Sequence, residues 1–113
     1  MQDILKVKKI HRRTGVSELK NGRRLGDMTL FSYEIFDAVA RQGSFNKAAQ
    51  QLHLTPSAIS HAIAVMEAEL GFTLFNRGKN GVTMTSYGAS LYPSIRAVLN
   101  SDEALQQSIA RLN

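Results

Sequence analysis

Ser57 and His61 stand four residues apart. On a helix that spacing puts a hydroxyl and an imidazole on one face, where the ring could take the serine's proton. Nucleophilic catalysis also needs a group to orient the ring and donors for an oxyanion. No Asp or Glu lies within a turn of either residue, and no loop suited to an oxyanion follows. Metal chemistry is no better served. His11, His53 and His61 do not lie three or four apart, and Cys is absent, which excludes thiolate zinc sites and disulfides. No catalytic residue, metal or cofactor is expected. What remains open to small hydroxyls and an imidazole on an exposed helix is contact with base edges or phosphates.

Such a face needs a helix that buries its other side. At ~100° per residue, Ile59, Ile63, Met66 and Leu70 cluster in one sector, while Ser57, His61, Ala64 and Ala68 point away, with Ser60 beside them. The outward side has no bulky aliphatic and no acid in its first two turns, so it can approach a groove closely. Thr55 is placed to cap this helix, Pro56 opens it where a missing N–H costs nothing, and Gly71 ends it. The spacing predicts a preceding short helix capped by Ser44, with Phe45, Ala48, Ala49 and Leu52 on its apolar face; His53-Leu54 forms a tight connection. An amphipathic helix from Leu30 to Arg41 comes first, with Phe31, Ile35, Phe36 and Val39 on one face and Gly43 at its end. Phe31, Phe36, Phe45, Phe72 and Phe75 all read as core. Two helices joined by a few residues, the second opening on proline and small polar side chains, form a helix-turn-helix.

Downstream, Thr73–Arg77 and Val82–Thr85 are short β-prone stretches around Gly78-Lys79-Asn80-Gly81, a hairpin with a basic tip. Thr85 is positioned to cap a last helix reaching towards Asn113. There Leu91, Ile95, Val98, Asp102, Leu105, Ile109 and Leu112 are spaced 4, 3, 4, 3, 4, 3, a heptad seam broken by one acid. The seam implies a dimer; the alternative is an amphipathic helix packed on its own domain. Pro93 inside it would free the Ala89 carbonyl, so the helix either bends there or restarts.

Together Gly43-Ser44-Phe45-Asn46-Lys47-Ala48-Ala49, Leu52 to Ile63, Glu67 with Glu69-Leu70-Gly71, Leu74-Phe75, Arg77, Thr85 and Gly88 resemble the LysR-type transcriptional regulators, in order and spacing, from about Leu30 to Arg96. The resemblance implies a mainly α fold: a winged helix-turn-helix of three helices and a β-hairpin, then a long linker helix that dimerises. It implies sequence-specific binding of double-stranded DNA by a homodimer or a higher homo-oligomer. Ser57, Ala58, Ser60 and His61 would lie at or near the major groove. Lys47, Thr55 and Arg77 would meet phosphates, with Lys79 and Asn80 on the wing. Ser44 and Pro56, which open the two helices of the motif, belong to the same contact set. Leu91, Ile95, Val98, Leu105, Ile109 and Leu112 would form the dimer seam. The family also carries an effector-binding domain after the linker helix. On this reading the chain is the DNA-binding and dimerising portion, and a small-molecule effector would act only through a further domain.

The expected domains are a basic arm at 1–27, the winged domain at 28–85 and the linker helix at 86–113. The net charge of +5 resides entirely in the arm, where Lys6, Lys8, Lys9, Arg12, Arg13, Lys20, Arg23 and Arg24 face Asp3, Glu18 and Asp27; the rest is neutral. The arm is either a flexible segment or an upstream extension, since Met28-Thr29-Leu30 looks like a natural start. Charge therefore says little about the winged domain, and a protein-interaction module or RNA binding through the arm are the competing readings. Without a signal peptide or a long apolar run, the expected location is the cytoplasm.

Overall fold

The computed structural model describes residues 28–113; the basic arm lies outside them. In chain order the elements are α1 (Leu30–Gln42), α2 (Phe45–Leu52), α3 (Pro56–Leu70), β1 (Phe75–Gly78), β2 (Gly81–Met84) and α4 (Ser86–Leu112). This is a mainly helical winged helix-turn-helix followed by a long helix.

Each helix starts where its side chains can satisfy orphan backbone amides. Ser44 Oγ accepts from the Lys47 amide, Thr55 Oγ1 from the Ala58 amide and Thr85 Oγ1 from the Gly88 amide. Thr29 caps α1 in a reciprocal box with Ser32. A cap of this kind contributes about 1 kcal/mol. α1 and α3 end at Gly43 and Gly71; α2 ends at His53, which takes φ 58 without being glycine. The helix-turn-helix corner is therefore closed by Leu54 N–H donating to the Ala49 carbonyl at 2.9 Å.

The core lies where α1, α2 and α3 meet the base of the wing and the first half of α4. Phe36, Val39, Ile59, Ile63 and Leu74 are fully buried, each worth about 1.5–3 kcal/mol of burial. The Phe36 ring packs on Phe75 at 5.1 Å and on Tyr92 at 6.1 Å, so one side chain joins α1, β1 and α4. Phe45 and Phe72 pack on the core's edge. Phe31 does not join it: it is 48% exposed, while the core takes Tyr33 at its edge and Ile35 and Phe36 in its interior.

The hairpin is antiparallel, with Phe75 opposite Met84 and Gly78 opposite Gly81. Its strands sit two residues inside the expected run at the first edge and one earlier at the second. Neither Lys79 nor Asn80 takes a positive φ; Gly81 does, at φ 114. A Cβ at Gly81 would also meet the Gly43 carbonyl oxygen at 2.7 Å. That same oxygen accepts from the Val82 amide at 3.0 Å, which fastens the wing to the corner between α1 and α2.

α4 runs unbroken through Pro93, so the restart does not occur. Its inward stripe is Gly88, Ile95 and Leu99, with Leu91 and Tyr92 half-buried beside them. Ile95, assigned to the dimer seam by its spacing, is a core residue, and Leu91 packs against that core. The reason is geometric: from Gly88 to Leu99 the helix lies on its own domain, and a stripe that suits a partner helix suits α1 equally well. Beyond Leu99 the helix leaves the domain, and Leu105, Ile109 and Leu112 are exposed, as is Val98.

Candidate nucleic-acid interface

α3 divides sharply by environment. Ile59, Ile63 and Met66 are buried, while Ser57, Ala58, His61, Ala64 and Ala68 are exposed. The exposed strip starts at the capped N-terminus, where Pro56 follows Thr55, Thr55 Oγ1 already takes the Ala58 amide, and the positive end of the helix dipole favours a negative ligand. It carries no acid. Glu67 is turned aside, its Oε2 accepting from the Leu74 and Phe75 amides at 2.6 and 3.3 Å. A carboxylate about three turns into the helix is thus spent on the wing's base.

Of the assigned contact residues, Lys47, Thr55, Pro56, Arg77, Lys79 and Asn80 are exposed, and Ser44 is half-buried. Ser44, Phe45, Asn46, Arg77, Gly78, Gly81 and Val82 line an open cleft between the start of α2 and the wing. The Arg77 guanidinium lies over the Phe45 ring, 4.2 Å from its centroid, and Nη2 donates to Ser60 Oγ at 2.9 Å. The structure so brings Ser44, Ser60 and Arg77 into one neighbourhood. Ser60 departs from the exposed strip: it is half-buried and faces the wing. Among the described residues, no hydrogen bond joins Ser57 to His61, the pair a nucleophile and base would need.

A second polar cluster escaped the sequence reading. Asp37, a buried carboxylate on α1, accepts from Tyr92 Oη at 2.6 Å, Arg96 Nη1 at 3.0 Å and Arg41 Nε at 3.0 Å. Arg96 continues to Asn100 at 2.7 Å. Burial pushes the Asp37 carboxyl up, but the hydrogen bonds from Tyr92 and Arg41 and the charges of Arg41 and Arg96 outweigh it, holding the group below its ordinary value. Burial first, and then the neighbouring carboxylate, push the Tyr92 phenol up. The cluster ties α4 to α1 where the long helix still lies on the winged domain. Only the i, i+4 pairing of Asp37 with Arg41 was available in the sequence to suggest it.

Comparison with known proteins decides the family. The model for bacterial regulatory helix-turn-helix proteins of the lysR family matches residues 30–89, more than half of the chain. The chain belongs to the lysR family. Within this family it is 39% identical over 85 residues to the HTH-type transcriptional regulator y4mQ of Sinorhizobium fredii, covering 75% of this chain and 28% of that one. It is 38% identical over 82 residues to the HTH-type transcriptional regulator PunR of Escherichia coli, covering 73% and 26%. The chain therefore spans only about a quarter of the length of these relatives. Two solved structures are similar over nearly their whole length. BenM_DBD in complex with catB site 1 DNA has a TM-score of 0.70 at 30% identity, covering 75% of this chain and 96% of that one. The CbnR_DBD–DNA complex has 0.66 at 28%, covering 76% and 100%. The lysR-family winged fold and the homologues' role as transcriptional regulators agree with the reading of the motif. Among the described residues, no helix is long and apolar enough to cross a membrane.

Proposed function

We propose that this lysR-family domain binds double-stranded DNA sequence-specifically and serves a bacterial transcriptional regulator in the cytoplasm. α3 enters the major groove with Ser57, Ala58, His61 and Ala64 towards the bases. Lys47, the capped N-termini at Ser44 and Thr55-Pro56, and the wing residues Arg77, Lys79 and Asn80 address flanking phosphates. The observation that carries this reading is the strip of α3 itself: exposed, narrow, free of acids and flanked by a fastened wing. The likeness to two domains solved with DNA supports it.

We further infer a homodimer through the outer half of α4. Val98, Leu105, Ile109 and Leu112 leave an apolar stripe in water, 44%, 55%, 44% and 88% exposed respectively. A second copy of the same helix would cover it. Two reading heads would then be offered to two half-sites, as symmetric operators require.

Fluorescence anisotropy on a labelled pool of genomic fragments tests the reading. Wild type should bind, and its affinity should fall by on the order of 10³-fold between 50 and 200 mM salt, as expected for several phosphate contacts. The Ser57→Glu/His61→Glu variant, which places two acids on the strip, should bind at least tenfold more weakly. Wild-type binding no better than that of a scrambled basic peptide, or equal binding by the variant, defeats the proposal.

A further inference from the structure

Ser60 and Glu67 stand seven residues apart on α3. Seven residues are close to two turns, so both occupy one flank of the helix, about 10.5 Å apart along its axis. The wing runs along that flank in the opposite direction. At one end the Leu74 and Phe75 amides donate to Glu67 Oε2; at the other, Arg77 Nη2 donates to Ser60 Oγ at 2.9 Å. Leu74 to Arg77 is three extended residues, roughly 10 Å. The two fastenings are matched in length, one on each end of the same segment.

This flank is not the strip that faces outward. Ser60 is half-buried where Ser57 and His61 are exposed. Its hydroxyl already accepts from a guanidinium, and that guanidinium rests on the Phe45 ring. Arg77 is so held from two sides, by α3 and by α2. Of the five donors an arginine carries, one goes to Ser60, and the residue remains exposed, so further donors are open to a ligand. A long, flexible side chain fixed in this way loses less freedom when it meets a phosphate.

We propose that Ser60 is a positioning residue: with Glu67 two turns on, it docks the wing along α3, sets Arg77 against one backbone phosphate, and reads no base. The proposal rests on the DNA-binding reading above. It reassigns a residue that sequence position had grouped with the base-facing set.

The test uses the 113-residue chain and two duplex probes, one a fixed arbitrary sequence and one a pool with randomised positions, titrated from 50 to 200 mM salt. Ser60→Ala should weaken binding to the arbitrary duplex by roughly threefold to tenfold, the weight of one solvent-accessible hydrogen bond. It should flatten the slope of log affinity against log salt by up to about one phosphate contact. The sequences recovered from the pool should match those recovered by wild type. Arg77→Ala should give the same pattern, and the Ser60→Ala/Arg77→Ala variant should be no worse than Arg77→Ala alone. Ser60→Thr, which keeps the hydroxyl, should retain the wild-type slope. Two outcomes overturn the proposal: a changed base preference with Ser60→Ala at an unchanged salt slope, or losses that multiply in the double variant. Absence of wild-type binding to either probe would instead sink the DNA-binding reading itself.

Discussion

The Tyr92 hydroxyl donates to Asp37 Oδ1 at 2.6 Å, across 55 positions of sequence. The contact joins α1 of the winged domain to α4 where that helix still lies on the core. Apolar packing alone, through Ile95 and Leu99, would let the helix slide or roll with little change in buried area. A carboxylate receiving a phenol and two guanidinium groups from fixed directions does not permit that. The orientation of the outer half of α4, and with it the presentation of the apolar stripe, is set by this cluster.

Acid should release it. The Asp37 carboxyl is held below its ordinary value in the folded chain. Its contribution to stability is therefore complete above the unfolded value, near pH 4, and is lost as pH falls through the lower folded one. Asp37→Asn should be less stable than wild type at pH 7, and the gap should narrow below about pH 4. Urea melts at pH 7, 4 and 3 measure this; a gap that stays constant would exclude Asp37 as a source of the acid sensitivity.

Tyr92→Phe isolates one arm of the cluster. It removes the hydroxyl and keeps the ring that stacks on Phe36, so the expected cost is about 1.5–3 kcal/mol, that of a hydrogen bond to a charged acceptor. In the Asp37→Asn background the same change should cost much less, because the two residues share one interaction. Chemical denaturation of the four proteins of the cycle gives the coupling, and additive losses would count against it.

Gly88→Ala should destabilise the domain although alanine favours helix. A Cβ there would collide with the Leu74 carbonyl oxygen, a backbone atom that cannot swing away. The strain of overpacking, about 1–3 kcal/mol, outweighs the helix-propensity gain of up to about 1 kcal/mol. Circular-dichroism melts of the two proteins decide; a raised melting temperature would show that α4 can stand off from the wing at no cost.

What the sequence made legible was local. Ser44, Thr55 and Thr85 act on amides three residues away, and Gly43 and Gly71 stop helices by their own backbone, so those signals survive without knowledge of the fold. The alternation of Ile59, Ile63 and Met66 with Ser57, His61 and Ala64 likewise gave both faces of α3. The contacts that build the site are long-range. Arg77 reaches Ser60 across 17 positions and Tyr92 reaches Asp37 across 55, and no periodicity encodes either. Ile95 shows a different limit. A 3-4 repeat states that a helix face is covered without stating by what, and the domain's own α1 took the first turns of the seam. Phe31 shows that an aromatic residue in phase with a core stripe can stay 48% exposed while its neighbours Met28 and Tyr33 pack on the core.

That division of α4 predicts opposite behaviour at its two ends. Ile95→Ala empties a buried site, so it should cost about 2–4 kcal/mol of stability and leave the oligomeric state unchanged. Leu105→Asp places a charge in the outer stripe, where Leu105 is 55% exposed and fills no core position. It should convert a dimer to a monomer. The melting temperature of wild type should rise with protein concentration, since association with a second copy stabilises the fold by mass action; that of Leu105→Asp should not. Sedimentation velocity at several concentrations reads the first effect and thermal melts the second. If Leu105→Asp sediments as wild type does, the outer stripe is not the dimer contact. If Ile95→Ala dissociates the protein without lowering its stability, the boundary drawn at Leu99 between core and interface is misplaced.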